Sequence, residues 1–197
     1  PKSRLDYIIA GGDAALLNSI ENAEDDILEA TEIVLKKRIN SQDVLIGLAA
    51  SGNTRFTCKV LEEANKKNAL TIAITNNPNG KLLEFGKCQI ILNTKEELIA
   101  GSTRLKAGTA QKICLNVISS LLMTKMGRVK NGRMSHMLPT NQKLRDRKIR
   151  KGDRQEIMAS DGVSPLEALV IPFTQQGKIY SIIGEKSEGV IAVSYTH

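Results

Sequence analysis

Residues 101–112 read Gly-Ser-Thr-Arg-Leu-Lys-Ala-Gly-Thr-Ala-Gln-Lys. Ser102 and Thr103 bring hydroxyls, Arg104 and Lys106 bring positive charge, and a helix opens directly after them. The first N–H groups of a helix lack intrahelical partners and sit at the positive end of its dipole. Hydroxyls, cations and backbone donors converging on one point suit an anion, phosphate above all. A cation in a first helical turn is mildly unfavourable unless an anion is near, which favours a binding role for Lys106. A second loop, Ala49-Ala50-Ser51-Gly52-Asn53-Thr54, follows an apolar run and opens another helix. Ser51 and Thr54 offer hydroxyls, Asn53 an amide, and Gly52 a backbone that a ligand can approach closely. The same residue types also serve as ordinary helix caps. A third group is acidic: Glu21, Glu24, Asp25, Asp26, Glu29 and Glu32 crowd one stretch, a pattern that by itself usually marks a solvated face.

The elements that must hold these groups alternate. Tyr7–Ala10 predicts a short strand ending in Gly11-Gly12. Asp13 then caps a helix running to about Lys37, with Leu16, Leu17, Ile20, Ala23, Ile27, Ala30, Ile33 and Leu35 near helical spacing. Asp43–Ala49 is a nearly continuous apolar run, as in a strand buried on both faces. A helix from Thr54 to about Lys67, a strand over Leu70–Thr75, the turn Asn76–Gly80, a short strand Gln89–Leu92 and a long helix from about Lys106 to Met126 follow. This order implies a parallel α/β sheet with right-handed crossovers, whose ligands sit at the carboxyl ends of the strands. The long helix is apolar around much of its circumference and reads as a core helix, with a subunit contact as its added role. Beyond Arg150 a turn at Gly162–Pro165 and short strands at Ala168–Phe173, Ile179–Ile183 and Val190–Val193 are expected, outside that alternation.

Composition narrows the classes. The 197 residues fit one domain or one domain with an extension, and 41% hydrophobic content with 3% aromatic means an aliphatic core. Apolar stretches are strand-sized, so no membrane span is expected. Three scattered cysteines point to a reducing cytoplasm with thiols as small core residues. With two histidines, His136 and His197, and no paired cysteine motif, no metal site is expected. The net charge of +7 concentrates between Lys125 and Arg154, where eleven Lys/Arg face two acids. A solvated face explains this best, and the lack of interleaved aromatics argues against nucleic acid.

Several ordered motifs together resemble one family. They are Ala10-Gly11-Gly12-Asp13 with Glu21-Asn22-Ala23-Glu24-Asp25, Ala49–Thr54, Gly101–Lys112 and Thr140–Arg145. In that order they look like the N-acetylmuramic acid 6-phosphate etherases, which have a sugar isomerase (SIS) fold and are related to the glucokinase regulatory protein. The resemblance covers roughly residues 1–150 and implies a three-layer parallel sheet flanked by helices, a partial SIS domain. It implies cleavage of the D-lactyl ether of a phosphorylated amino sugar, giving N-acetylglucosamine 6-phosphate and D-lactate in cytoplasmic cell-wall recycling, with no cofactor or metal. Glu24 is carried over as the base. Glu21, three residues earlier on the same helical face, would raise its pKa and contact substrate. Ser51, Gly52, Asn53, Thr54, Ser102, Thr103 and Lys106 are carried over as substrate contacts, and a homodimer is implied. A non-catalytic phosphosugar-binding regulator and a phosphosugar isomerase are the alternatives. Two departures stand beside the match. The family's first Ser/Gly-rich loop and a catalytic acidic residue are expected upstream of residue 1, leaving the sheet short of a strand and lowering solubility. Residues 151–197 do not resemble the family's helical C-terminal part and are expected to be an extension not native to it.

Overall fold

A computed structural model describes residues 4–130, 132–134 and 179–183. The expected motif at Thr140–Arg145, most of the basic stretch, the turn at Gly162–Pro165 and the strands at Ala168–Phe173 and Val190–Val193 lie outside the described residues. The chain divides into two compact units, one of Pro1–Cys114 with Phe173–Val190 and one of Leu115–Pro172 with Ile191–His197.

The first unit holds a five-stranded sheet. Its strands are β1 (Leu5–Ile9), β2 (Val44–Leu48), β3 (Leu70–Thr75), β4 (Cys88–Ile91) and, from far along the chain, β7 (Ile179–Ile183). Every pairing is parallel, in the order β1-β7-β2-β3-β4. Parallel neighbours need a crossover. Helix α2 (Arg55–Lys66) supplies it between the neighbours β2 and β3, and α1 (Ile27–Lys36) connects β1 to β2, which are one strand apart in the sheet. Strand β7 lies between β1 and β2, with Ile179 level with both Leu5 and Val44. One piece of the stretch beyond residue 150 thus pairs into the central sheet.

The apolar runs explain the core. All of β2 is buried, as is β3 beyond Leu70. Alternation sends Leu45 and Ala73 to one face, where Phe56, Val60, Leu61 and Ala64 of α2 and Ala30 and Val34 of α1 cover them. Phe56, Val60, Leu61 and Ala64 recur at helical spacing, so α2 presents one apolar stripe inward and its Lys/Glu ion pairs outward.

Two expectations need correction. No continuous helix fills 13–37. Gly12–Leu16 and Ala23–Asp25 are separate 3-10 turns, and α1 starts only at Ile27. Asn22 sits at φ 61° in the left-handed region, which interrupts a helix there. Asp26, read as one acid of a solvated run, is the cap of α1: its carboxylate accepts from the N–H groups of Leu28 and Glu29, each at 2.9 Å. Asp13 caps nothing; it lies inside the first 3-10 turn and accepts from the Tyr7 hydroxyl at 3.1 Å.

The second correction concerns α3 (Lys106–Lys125), which ends close to the expected residue before Gly127 at φ +69°. It is not a buried core helix. Only Ala107 and Gln111 are buried, while Ile113, Val117 and Leu121 are 57%, 43% and 38% exposed. Spaced four apart, these three form one stripe. A small antiparallel pair, β5 (Val129–Lys130) and β6 (Arg133–Met134), follows in the second unit.

Candidate functional site

The carboxyl ends of β1, β2, β3 and β4 lead into Gly11-Gly12, Ala49–Thr54, Asn76–Gly80 and the segment before α3. In a parallel sheet these ends share one edge. The middle two are stitched together. Thr75 Oγ1 and the Asn76 N–H both donate to the Ala50 carbonyl, at 3.2 and 3.1 Å. Asn77 Nδ2 donates to the Ser51 carbonyl at 2.9 Å, and the Leu82 N–H to that of Gly52 at 2.8 Å.

Within this loop each expected contact residue has a place. Ser51 is half-buried and its hydroxyl accepts from the Asn53 N–H at 3.1 Å, a side-chain-closed turn. Asn53 is exposed, and its Oδ1 accepts from the Lys81 N–H at 3.2 Å. Thr54 is buried and precedes α2 as its N-cap residue. Gly52 adopts φ +71°, and a Cβ there would stand 2.6 Å from Gly80 Cα and 2.7 Å from Thr75 Oγ1. The close approach that demands glycine is therefore made by the chain's own turn. Beside it, Cys58 directs its thiol to the Gly52 carbonyl at 3.9 Å, and burial pushes the thiol pKa up to about 11. It stays protonated near neutrality and is no nucleophile.

Asn76 is a junction that sequence reading noted only as a turn residue. Its Nδ2 donates to the Leu92 carbonyl at 3.1 Å and to Thr94 Oγ1 at 3.2 Å. Its Oδ1 accepts from Nε2 of the buried Gln111 at 3.0 Å. One amide thus ties β3, the exit of β4 and α3 together. The signal was the Asn-Asn pair at a strand end facing a glutamine one turn into the next helix.

The segment before α3 is different. Ser102 and Thr103 are half-buried and Lys106 is exposed. The helix N–H groups read as open to an external anion already hold an internal one. The Lys106 N–H donates to Glu97 Oε2 at 3.0 Å and the Ala107 N–H to Glu97 Oε1 at 2.9 Å. The next N–H groups, of Gly108 and Thr109, donate to the carbonyls of Thr103 and Leu105, both at 3.0 Å. Lys106 Nζ donates to the Glu96 carbonyl. The Ala107 N–H, then that of Lys106, hold the Glu97 carboxyl below the usual carboxylate range.

Glu24 is exposed within the Ala23–Asp25 turn, and Glu21 is exposed in the loop before it. With Asn22 left-handed between them, the two do not share a helical face. The turn reaches the rim through its neighbours. A Cβ at Gly11 would stand 3.2 Å from Ala23 Cβ, the Gly11 N–H donates to Glu29 Oε2 at 3.3 Å, and the turn packs on α2. No group of residues able to hold a metal ion occurs among the described residues, and none of their helices is long and apolar enough to cross a membrane.

The chain is similar in sequence to proteins of several bacteria. An N-acetylmuramic acid 6-phosphate etherase of Bacteroides thetaiotaomicron is 44% identical over 143 residues, 73% of this chain and 52% of that protein. The etherase of Deinococcus radiodurans is 43% identical over 147 residues, 75% and 48%, respectively. That of Mycoplasma mycoides is 41% identical over 146 residues, 74% of this chain and 48% of that protein. The chain spans about half the length of the curated relatives it matches. The model of the SIS domain matches residues 5–120, which contain β1–β4, both rim loops and the start of α3, and so the chain belongs to the SIS domain family.

Proposed function

We propose that this chain carries the substrate-binding rim and one catalytic carboxylate of an N-acetylmuramic acid 6-phosphate etherase. The observation that carries the reading is identity above 40% to etherases over about three quarters of this chain. With the sugar ring open, carbon 1 is an aldehyde and the proton on carbon 2 becomes acidic. Glu24 takes that proton as the bond from carbon 3 to the lactyl oxygen breaks, and a general acid that is not among the residues assigned here gives its proton to that oxygen, which leaves as D-lactate. Water then adds across the new double bond, giving N-acetylglucosamine 6-phosphate. A positioned base of this kind contributes on the order of 100- to 10,000-fold. Ser51, Asn53, Thr54, Ser102, Thr103 and Lys106 hold the sugar phosphate, Gly52 shapes the loop that presents them, and Glu21 lies on the approach to Glu24. The exposure of Glu24 on a short turn supports its access to substrate.

Two coarser features extend the reading. The exposed stripe Ile113, Val117 and Leu121 supports pairing of two copies along α3, which sedimentation of the chain and of Val117→Glu tests. Three half-buried free thiols fit a cytoplasmic location.

The test is release of D-lactate from N-acetylmuramic acid 6-phosphate by the purified chain and by Glu24→Gln. Release that falls at least 100-fold in Glu24→Gln supports the etherase and its base. Saturable binding without release points instead to a phosphosugar-binding regulator.

A further inference from the structure

We infer, on the reading of the rim as a phosphosugar site, that Arg104 recognises the lactyl carboxylate of the substrate and so decides which phosphosugar the rim accepts. The substrate carries two anions, a phosphate on carbon 6 and the carboxylate of the lactyl group on carbon 3. Held apart by the sugar's carbon chain, the two cannot share one set of donors. The Ser51–Thr54 loop suits the phosphate. It opens α2, whose first N–H groups have no intrahelical partners and whose N-cap residue Thr54 makes no side-chain capping bond. Exposed Arg55 follows it directly, and exposed Lys81 joins it through the bond from its N–H to Asn53 Oδ1.

The Gly101–Arg104 loop offers different chemistry. The N–H groups of Lys106 and Ala107 are taken by the Glu97 carboxylate, and those of Gly108 and Thr109 by backbone carbonyls. Lys106 Nζ lies on the Glu96 carbonyl. A phosphate dianion brought here would meet a carboxylate at the helix start in place of open donors. What the loop still presents is Arg104. Its N–H donates to Ser102 Oγ at 3.5 Å, its side chain is exposed, and its guanidinium has no partner among the described residues. A guanidinium is a planar fork that pairs two N–H groups with the two oxygens of one carboxylate, and it stays charged at any working pH. Holding the lactyl group by its carboxylate leaves the ether oxygen clear to accept a proton.

The experiment measures binding of N-acetylmuramic acid 6-phosphate and of N-acetylglucosamine 6-phosphate, which lacks the lactyl group, to the 197-residue chain. Glu24→Gln is the parent, so that the first ligand is not consumed. The parent binds the lactyl-bearing sugar more tightly. Adding Arg104→Ala weakens that ligand by about 10- to 100-fold, the range of a charge-assisted hydrogen bond, and leaves the affinity for N-acetylglucosamine 6-phosphate and the melting temperature unchanged. Arg104→Lys, which keeps the charge and loses the fork, recovers part of the affinity. Equal losses for both ligands in Arg104→Ala overturn the inference, since Arg104 would then serve the phosphate or the fold, and so does no loss for either. A parent that binds both ligands equally well leaves the phosphosugar reading standing and overturns the role of Arg104 alone. A parent that binds neither while folded overturns both.

Discussion

The two loops that carry the expected anion contacts are built in opposite ways. The Ser51–Thr54 loop is held from all sides by the backbone and side chains of its neighbours, Thr75, Asn77, Lys81 and Leu82. The Gly101–Arg104 loop lies between exposed apolar residues, Leu98, Ile99 and Leu105, and is tied to the start of α3, where the Thr103 carbonyl accepts from the Gly108 N–H and Glu97 accepts from those of Lys106 and Ala107. A wall built into the core is expensive to alter and keeps its shape. A loop tied to the start of one exposed helix can be adjusted with less disturbance to the core. The contrast predicts that damage to the first loop registers as lost stability, and damage to the second as lost binding.

Gly52→Ala should give the largest stability change. It places a Cβ within 2.7 Å of two fixed groups at a left-handed φ, so it should cost about 2–4 kcal/mol in urea denaturation. A cost near zero would mean the loop is not locked on Gly80. Next, Asn76→Ala strips the buried Gln111 amide of its partner and should cost about 1–3 kcal/mol. Adding Gln111→Ala should recover part of that loss, and a double-mutant cycle that is simply additive would break the junction. Thr57→Val works in the opposite direction. The Thr57 hydroxyl of α2 is fully buried with no hydrogen-bond partner among the described residues, so its replacement should stabilise by about 1 kcal/mol.

The smallest global effect belongs to Glu97, which caps the start of α3. The Glu97 carboxyl has a lowered pKa when folded, so its contribution is present above the ordinary carboxylate pKa and is lost as pH falls through the lowered one. Its charged neighbour is Lys106. Acidification should therefore shift the Lys106 and Ala107 amide signals while those of β2 and β3 hold still. Signals moving together would mean the loop is no more independent than the wall.

Legibility in the sequence followed the same division. Strands β2 and β3 and helix α2 were readable because a buried parallel strand has to be apolar throughout, and a helix on one face of a sheet has to be striped. The stretch 13–26 misled because Leu16, Leu17 and Ile20 fall at helical spacing, yet they are exposed, and the left-handed Asn22 and the Asp26 cap move the helix start to Ile27. The ends of α3 were legible, the first from its Gly-Ser-Thr turn and the second from Gly127. Its burial was not, since that depends on which elements pack against it. Glu97 was invisible because a capping acid nine residues upstream, across a loop, leaves no fixed spacing. Its only mark was an acidic residue ahead of a helix whose first turn carries a cation.

The most direct test of the central claim, that both loops face one phosphosugar, is a titration of the 15N-labelled chain with N-acetylmuramic acid 6-phosphate. Saturable shifts at the amides of Ser51, Gly52 and Asn53 together with Ser102 and Thr103, sharing one dissociation constant, are the predicted result. Shifts confined to one loop, or none at saturating ligand, would contradict it.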